Sequence, residues 1–373
     1  MKKAFFLILL LPLLTGCWDR LDLKKLDLVD VNGFDLNEKT GEVEAFFLIT
    51  KLKSTGQGTG ESISEVRELK GPSLAEAIGQ WEFKDKSPFI GISTRIYMIS
   101  QSFASDDPVS ELDFLLGAPY SSINTPLVVV DAKLSKIFGD TSKTNKEFSK
   151  DMNEFIVSME KNRTIPTVSM MNFIQSRDES LGDLALPMLT LKDEWLELGG
   201  ALLFRNGTPT GIKLDKNQVK MMMLLEGGNT GRQRFTGNLS KENGEKSSSD
   251  QTIKNNFGFT VKRNFSKITV SNASNLPKIN IKVQMQVSVF ELGKQGNKLK
   301  PDIAKLEKEL NNHFDEKALE SIKTMQSANS DVLGIGKQLK AYHPKIWKSL
   351  NWRKDYPNMT IEPEFDITIL NSN

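Results

Sequence analysis

Polar and apolar residues alternate most cleanly between Ile279 and Val289. Ile279, Ile281, Val283, Met285, Val287 and Val289 fall on one side, and Asn280, Lys282, Gln284, Gln286 and Ser288 on the other. A period of two predicts a strand with one buried and one wet face. From Asp302 to Met325 the period changes: Ile303, Leu306, Leu310, Phe314, Ile322 and Met325 line one side of a long helix. These apolar faces have similar length and lie close in sequence. The strand is therefore expected to be central, with the helix on its apolar side.

The same reading extends along the chain. Asp27 to Leu36 and Glu42 to Leu52 form two strands, with turn residues from Asn37 to Gly41 between them. Ile63–Leu69, Thr94–Ser100 and Pro126–Asp131 follow as strands. Ser73 and Glu76 have the spacing of a capping box, and Leu74, Ala77, Ile78 and Trp81 form the stripe of the helix it opens. Val109 to Leu116 reads as a short helix after Pro108. Thr144 to Glu160 reads as an amphipathic helix opened by Thr144 and Glu147, with Phe148, Met152, Phe155, Ile156 and Met159 on one face. Leu186–Leu191 and Leu198–Arg205 are strands, Asn206-Gly207 is a hairpin turn and Thr210–Leu214 returns. Asp215 caps a helix through Leu225. Residues 227–256 are polar loop with a short strand near Arg234 and Phe235, and Phe257 to Ser271 is a strand pair or one long bent strand. Asp331 to Tyr342 is a shorter helix, and Phe365, Ile367 and Ile369 mark a last strand. Irregular alternation with hairpins predicts an α+β, multidomain fold with mixed or antiparallel sheets flanked by helices, rather than a doubly wound one.

The first residues follow a different logic. Lys2 and Lys3 precede an eleven-residue apolar run, Ala4 to Leu14. A spanning helix needs ~20 residues, so this run has the layout of a secretory signal. Leu14-Thr15-Gly16-Cys17 closes it with the lipobox pattern, in which a cysteine takes a diacylglyceryl group and becomes the first mature residue. Cys17 is also the single cysteine of the 373 residues. An ordinary signal peptide with a chance cysteine is the alternative. The division expected is residues 1–16 as lipoprotein signal peptide, 17–195 as an N-terminal α+β region of one or two domains, and 196–373 as a C-terminal α+β domain.

Charge narrows the function classes. The chain has 49 Lys plus Arg and 47 Asp plus Glu, and without Lys2 and Lys3 the two counts are equal. That balance argues against a general nucleic-acid binder. With Cys17 acylated no disulfide can form. The two histidines, His313 and His343, are thirty residues apart, with neither HExxH nor CxxC, so no metal, cofactor or catalytic residue is assigned. Gly56-Gln57-Gly58-Thr59-Gly60 lacks the Lys and Ser/Thr of a phosphate loop and reads as a connector. Lys337, Lys340, Lys345, Lys348, Arg353 and Lys354 interleave with Tyr342, Trp347, Trp352 and Tyr356. That segment is either an ordinary helix with buried tryptophans or a face for a partner or an anionic bilayer.

Thr15-Gly16-Cys17-Trp18-Asp19-Arg20 resembles the start of the Ger(x)C family of spore germination lipoproteins. Val31-Asn32-Gly33-Phe34-Asp35, Gly71-Pro72-Ser73-Leu74-Ala75-Glu76-Ala77, Leu112 to Leu116, Gly199 to Phe204, and Gly334-Ile335-Gly336 with His343-Pro344 and Trp347 resemble further family segments in the family's order. Ile92-Ser93 and Gly117-Ala118 depart from it, where members often carry a histidine and a basic residue. The resemblance implies three α+β domains and no enzymatic activity. It implies assembly with two membrane subunits of a nutrient germinant receptor, one transporter-like and one with a soluble and a membrane domain. It places the assembly in the spore inner membrane, with this subunit lipid-anchored on the outer face. The other reading is a lipid-anchored solute-binding protein of a transporter, which would show two lobes of crossover strands.

Overall fold

The computed structural model describes residues 27–53, 61–84, 89–118, 121–141, 147–193, 195–228, 232–239, 256–271, 276–292 and 303–372. Cys17, Thr144 and the glycine run 56–60 lie outside the described residues. Two sheets organise the rest. The first contains β1 (Asp27–Leu36), β2 (Val43–Lys53), β3 (Glu61–Gly71), β4 (Phe89–Ile90), β5 (Ile96–Ser100), β6 (Leu127–Asp131), β7 (Leu184–Lys192), β8 (Trp195–Arg205) and β9 (Thr208–Asp215). Its order is β3-β2-β1-β5-β6-β7-β8-β9, with the short β4 also paired to β1. The second has the order β10 (Arg234–Asn238), β11 (Asn256–Ser271), β12 (Lys278–Leu292), β13 (Ile361–Ser372).

Both sheets are mixed, in line with the α+β expectation. The centre of the first is more parallel than the hairpin signals suggested: β1, β5, β6 and β7 all run the same way. Such strands are covered on both faces and read as continuous apolar runs rather than alternations. All five residues of β5 are buried, as are Leu127 to Val130 of β6. One face carries α1 (Leu74–Gly79), α2 (Pro108–Leu112) and α4 (Met170–Gln175), whose Leu74, Val109 and Phe173 join Val29, Ile99 and Val129. The other carries α3 (Phe148–Lys161), whose Phe148, Met152 and Ile156 join Val31, Met98 and Val130. Val29 and Val31 face opposite sides because the β1–β2 register shifts between them. A bulge of this kind inserts one residue and reverses the alternation. Gly33 lets Phe138 cross the sheet face closely: a Cβ there would stand 2.5 Å from the ring's Cε2.

α3 begins at Phe148, later than the predicted Thr144 start. Ser73 caps α1 as expected, its hydroxyl accepting from the Glu76 amide at 3.2 Å. Asp215 caps α5 (Lys216–Glu226) in a complete capping box with Gln218.

β12 is internal to the second sheet, and Ile279 to Val289 bury their odd-numbered side chains at 0–4% exposure. The long helix, α6 (Ile303–Ser327), joins the same cluster through Leu310, Phe314, Ile322 and Met325, while Ile303 is 43% exposed. It packs on the apolar side of the sheet as expected, Phe314 meeting the rings of Phe235, Phe259 and Phe365 on β10, β11 and β13, and its backbone runs beside the edge strand β13. The amides of Phe365, Ile367 and Ile369 donate to Asp315 Oδ1, Asn311 Oδ1 and Glu307 Oε1 at 2.7, 2.9 and 2.8 Å. Four helical residues rise ~6.0 Å and two strand residues ~6.6 Å, so the i, i+4, i+8 acceptors match every second edge amide. This ladder closes an edge that would otherwise offer itself to another strand.

Candidate functional site

The two sheets meet through the β8–β9 hairpin. Its backbone continues the first sheet, while Ala201, Leu203 and Leu214 pack into the core of the second with α5. The turn is Asn206-Gly207, with φ of 48° and 72°. Positive φ at both central positions is what a two-residue hairpin turn needs, and Asn-Gly supplies it at low strain.

This turn holds one wall of a buried polar cluster. Asp183, just before β7, has a side chain of 0% exposure. Arg353, in α9 (Trp352–Asp355), grips it with two bonds, Nη1 to Oδ2 at 2.6 Å and Nη2 to Oδ1 at 2.8 Å. The planar fork matches a carboxylate and is the strong form of an ion pair. Arg353 also donates to the Ser180 carbonyl at 3.1 Å and to Asn206 Oδ1. Asp183 accepts two further bonds, from the Asp331 amide at 2.7 Å and the Asn206 amide at 3.3 Å. The buried carboxylate therefore has four donors from three separated parts of the chain.

Asp331 stands behind it. Its carboxylate accepts from the amides of Ile335 and Gly336 at 3.0 and 2.7 Å, at the start of α7 (Ile335–Tyr342). Burial pushes this carboxyl up to about 7, the two amides pull it down, and Asp183 adds to the rise while Arg353 opposes it. Ser330 donates to the Phe204 carbonyl at 2.8 Å, and the Tyr356 hydroxyl to the Ser330 carbonyl at 3.3 Å. Burial, with Asp331 and Asp183 nearby, raises Tyr356 well above the usual phenol value. A second tie sits elsewhere on the boundary: Arg163, after α3, pairs with Glu226 at 2.7 Å and donates to the Gly227 carbonyl at 2.6 Å at the end of α5.

The arrangement is a mechanical joint. Each carboxylate, guanidinium and hydroxyl named has at least one partner from the protein itself, although Arg163 Nε is buried without one, and the charges are paired across the boundary. Among the described residues no group of three or more His, Cys, Asp or Glu is placed to hold a metal. His313 lies on α6 edge-on to the Phe257 and Phe314 rings, 5.6 and 5.8 Å between centroids, and burial pulls it below the ordinary imidazole value. His343 joins α7 to α8 (Pro344–Ser349), its carbonyl accepting from the Trp347 amide at 2.9 Å. The histidines thus sit in separate settings.

The basic-aromatic segment divides in two. Trp352 and Tyr356 are buried, with ring centroids 5.2 Å apart, and Trp352 packs on Gly336. Arg353 and Lys337 are engaged, the latter with Glu179 at 3.1 Å. Tyr342 and the remaining lysines are exposed. Sequence alone singles out neither Asp183 nor Ser330, and Asp331 reads there only as a helix start. Asn206-Gly207 reads as a turn, and Arg353 and Tyr356 only as members of the basic-aromatic segment. The resemblance segment Asn32 to Asp35 serves the first sheet: Asn32 donates to Thr94 Oγ1 at 2.8 Å, and Asp35 accepts from Ser102 and the Leu134 amide.

Comparison with known proteins accounts for nearly the whole chain. The family described as "Spore germination protein N-terminal domain" matches residues 19–191, and "Spore germination B3/ GerAC like, C-terminal" matches residues 199–373. The Bacillus cereus "Spore germination protein GerQC" is 23% identical over 373 residues, covering 100% of this chain and 99% of its own. A solved structure titled "Crystal Structure of the GerBC protein" shares the fold with a TM-score of 0.57 at 11% identity, covering 94% of this chain and 100% of that one. The chain belongs to the Ger(x)C family of spore germination proteins.

Proposed function

We propose that this protein is a lipid-anchored, non-enzymatic subunit of a spore nutrient germinant receptor, coupling nutrient sensing to germination through protein contacts. The observation that carries the reading is the end-to-end match to a spore germination protein, in a chain whose Leu14 to Cys17 segment has the lipobox pattern. The joint around Asp183 and Arg353 supports it, because a subunit that relays contacts needs parts that move as one body. The family role also favours two membrane partners, one transporter-like and one with soluble and membrane domains, at the outer face of the spore inner membrane.

Cys17 is the proposed lipidation site. One acyl chain anchors only marginally, whereas two cross the threshold for stable attachment at ~0.8 kcal/mol per buried methylene. The tether would raise the effective concentration of a near-neutral body beside its partners. The solute-binding alternative drew on crossover strands, and the first sheet has them. The second sheet has one such crossover, from β12 through α6 to the parallel β13, but β10, β11 and β12 form an antiparallel meander, so the two sheets do not repeat one doubly wound lobe.

The test is Cys17→Ala in spores, read by membrane fractionation, intact-mass analysis and nutrient-triggered germination. The expected result is loss of the acyl mass, release from the membrane fraction and a reduced nutrient response. A wild-type chain without lipid on Cys17 would remove the anchor. A wild-type protein that binds a free nutrient tightly without receptor partners would favour the solute-binding reading.

A further inference from the structure

Between Gly334 and Lys354 the chain has six Lys or Arg and no Asp or Glu, although the chain as a whole is nearly balanced. Two of the six are engaged at the joint, Lys337 with Glu179 and Arg353 with Asp183. Lys340, Lys345, Lys348 and Lys354 are exposed, and no ion pair engages them among the described residues. Between them, Tyr342 is 78% exposed. α8 has no buried residue; Ile346 and Trp347 are half-buried against the body while Lys345 and Lys348 face water.

The fold fixes where this corner sits. β1, β5, β6 and β7 are parallel, so Asp27 at the start of β1 and Leu184 at the start of β7 share one end of the sheet. Glu179 and Asp183, immediately before β7, hold α7 and α9 at that end. Cys17 precedes Asp27 by ten residues. Ten residues reach at most about 35 Å in any conformation. A tether on Cys17 therefore joins the described fold at the sheet end that carries the lysine corner.

We infer that the α7–α8 corner docks on an anionic bilayer surface, with Lys340, Lys345 and Lys348 at the headgroups and Tyr342 at the interface. Lysines extend their ammonium groups to headgroup depth, and tyrosine and tryptophan favour that layer. An acidic protein surface would satisfy the charge as well. The shared end with the tether and the exposed tyrosine between the lysines favour the bilayer. The orientation toward the membrane rests on the lipid-anchor reading; the affinity for anionic lipid does not.

The experiment separates the two. The chain from residue 17 onward keeps every described element; prepared with Cys17→Ser, it carries no acyl group. Its partition is measured on vesicles of phosphatidylcholine alone and with about 30% phosphatidylglycerol, each lysine at the surface being worth about fivefold. Binding at least tenfold stronger to the anionic vesicles is expected, and lost in 0.5 M salt because the Debye length falls to a few ångströms. The triple variant Lys340→Glu, Lys345→Glu, Lys348→Glu should lose that preference. Lys213→Glu, Lys262→Glu, Lys267→Glu, with the same net charge change elsewhere, should keep it. Thermal midpoints verify that both fold, and Lys→Gln triples serve if either does not. Equal partition to both vesicle types, or equal loss in the two triples, overturns the inference. So does a corner variant that binds vesicles normally yet no longer co-purifies with the receptor's membrane subunits. The anchor reading is tested apart, by the mass on Cys17.

Discussion

Removing the Arg353 guanidinium tests the joint most directly. Arg353→Met keeps most of the aliphatic stem and deletes the charge, leaving Asp183 fully buried with only the Asp331 and Asn206 amides as donors. Breaking a buried pair by removing one partner costs ~3–5 kcal/mol. Arg353 is 29% exposed, so water screens part of the pair, and about 2–3 kcal/mol is expected. Arg353→Lys should recover only part, because an ammonium cannot make both bonds of the fork. Asp183→Asn removes the other charge at nearly constant shape. The double variant should then be less damaging than the sum of the singles, with a coupling of about 1.5–3 kcal/mol. Urea unfolding followed by tryptophan fluorescence is a suitable assay, since Trp352 neighbours Arg353 and lies tilted against Trp347 with ring centroids 5.7 Å apart. A coupling under ~0.5 kcal/mol, within ordinary additivity, would refute the view that the pair joins the two halves energetically.

Three further outcomes follow from neighbouring features. Asp331 has its carboxyl raised from 3.8 to about 7 in the folded chain, so between those values the unfolded state is the one that has released its proton. Its contribution to stability is present below about pH 4 and lost as pH rises toward 7; Asp331→Asn should flatten that fall by about 1 kcal/mol or more between pH 5 and 8, read by urea midpoints, and an unchanged slope would count against it. Asn311→Ala should strip the Ile367 amide of its acceptor, costing about 1–2 kcal/mol and speeding hydrogen exchange at Ile367 while β12 amides stay protected. Gly33→Ala should cost about 1–3 kcal/mol in denaturant unfolding, because its Cβ would stand 2.5 Å from Phe138, and Phe138→Leu should restore part of the loss.

Local physics was legible in the order of residues. The alternation from Ile279 to Val289 marked an interior strand, because a one-residue shift would turn its whole apolar set to water. Asn206-Gly207 marked a hairpin, and Asp215 a helix start, since both depend on neighbours a few residues away. Family membership was legible too, from short segments kept in order. Tertiary structure decided the rest. Whether the strands of the first sheet run parallel depends on which segments cross over, and buried runs such as Leu127 to Val130 look alike in either direction. The edge position of α6 depends on Glu307, Asn311 and Asp315, which in sequence are simply the polar side of a helix. The joint is the clearest case. Asp183, Asn206, Asp331 and Arg353 are separated by up to 170 residues, and each alone is an ordinary polar residue. Only folding excludes water from the Asp183 carboxylate and leaves Arg353 to neutralise it.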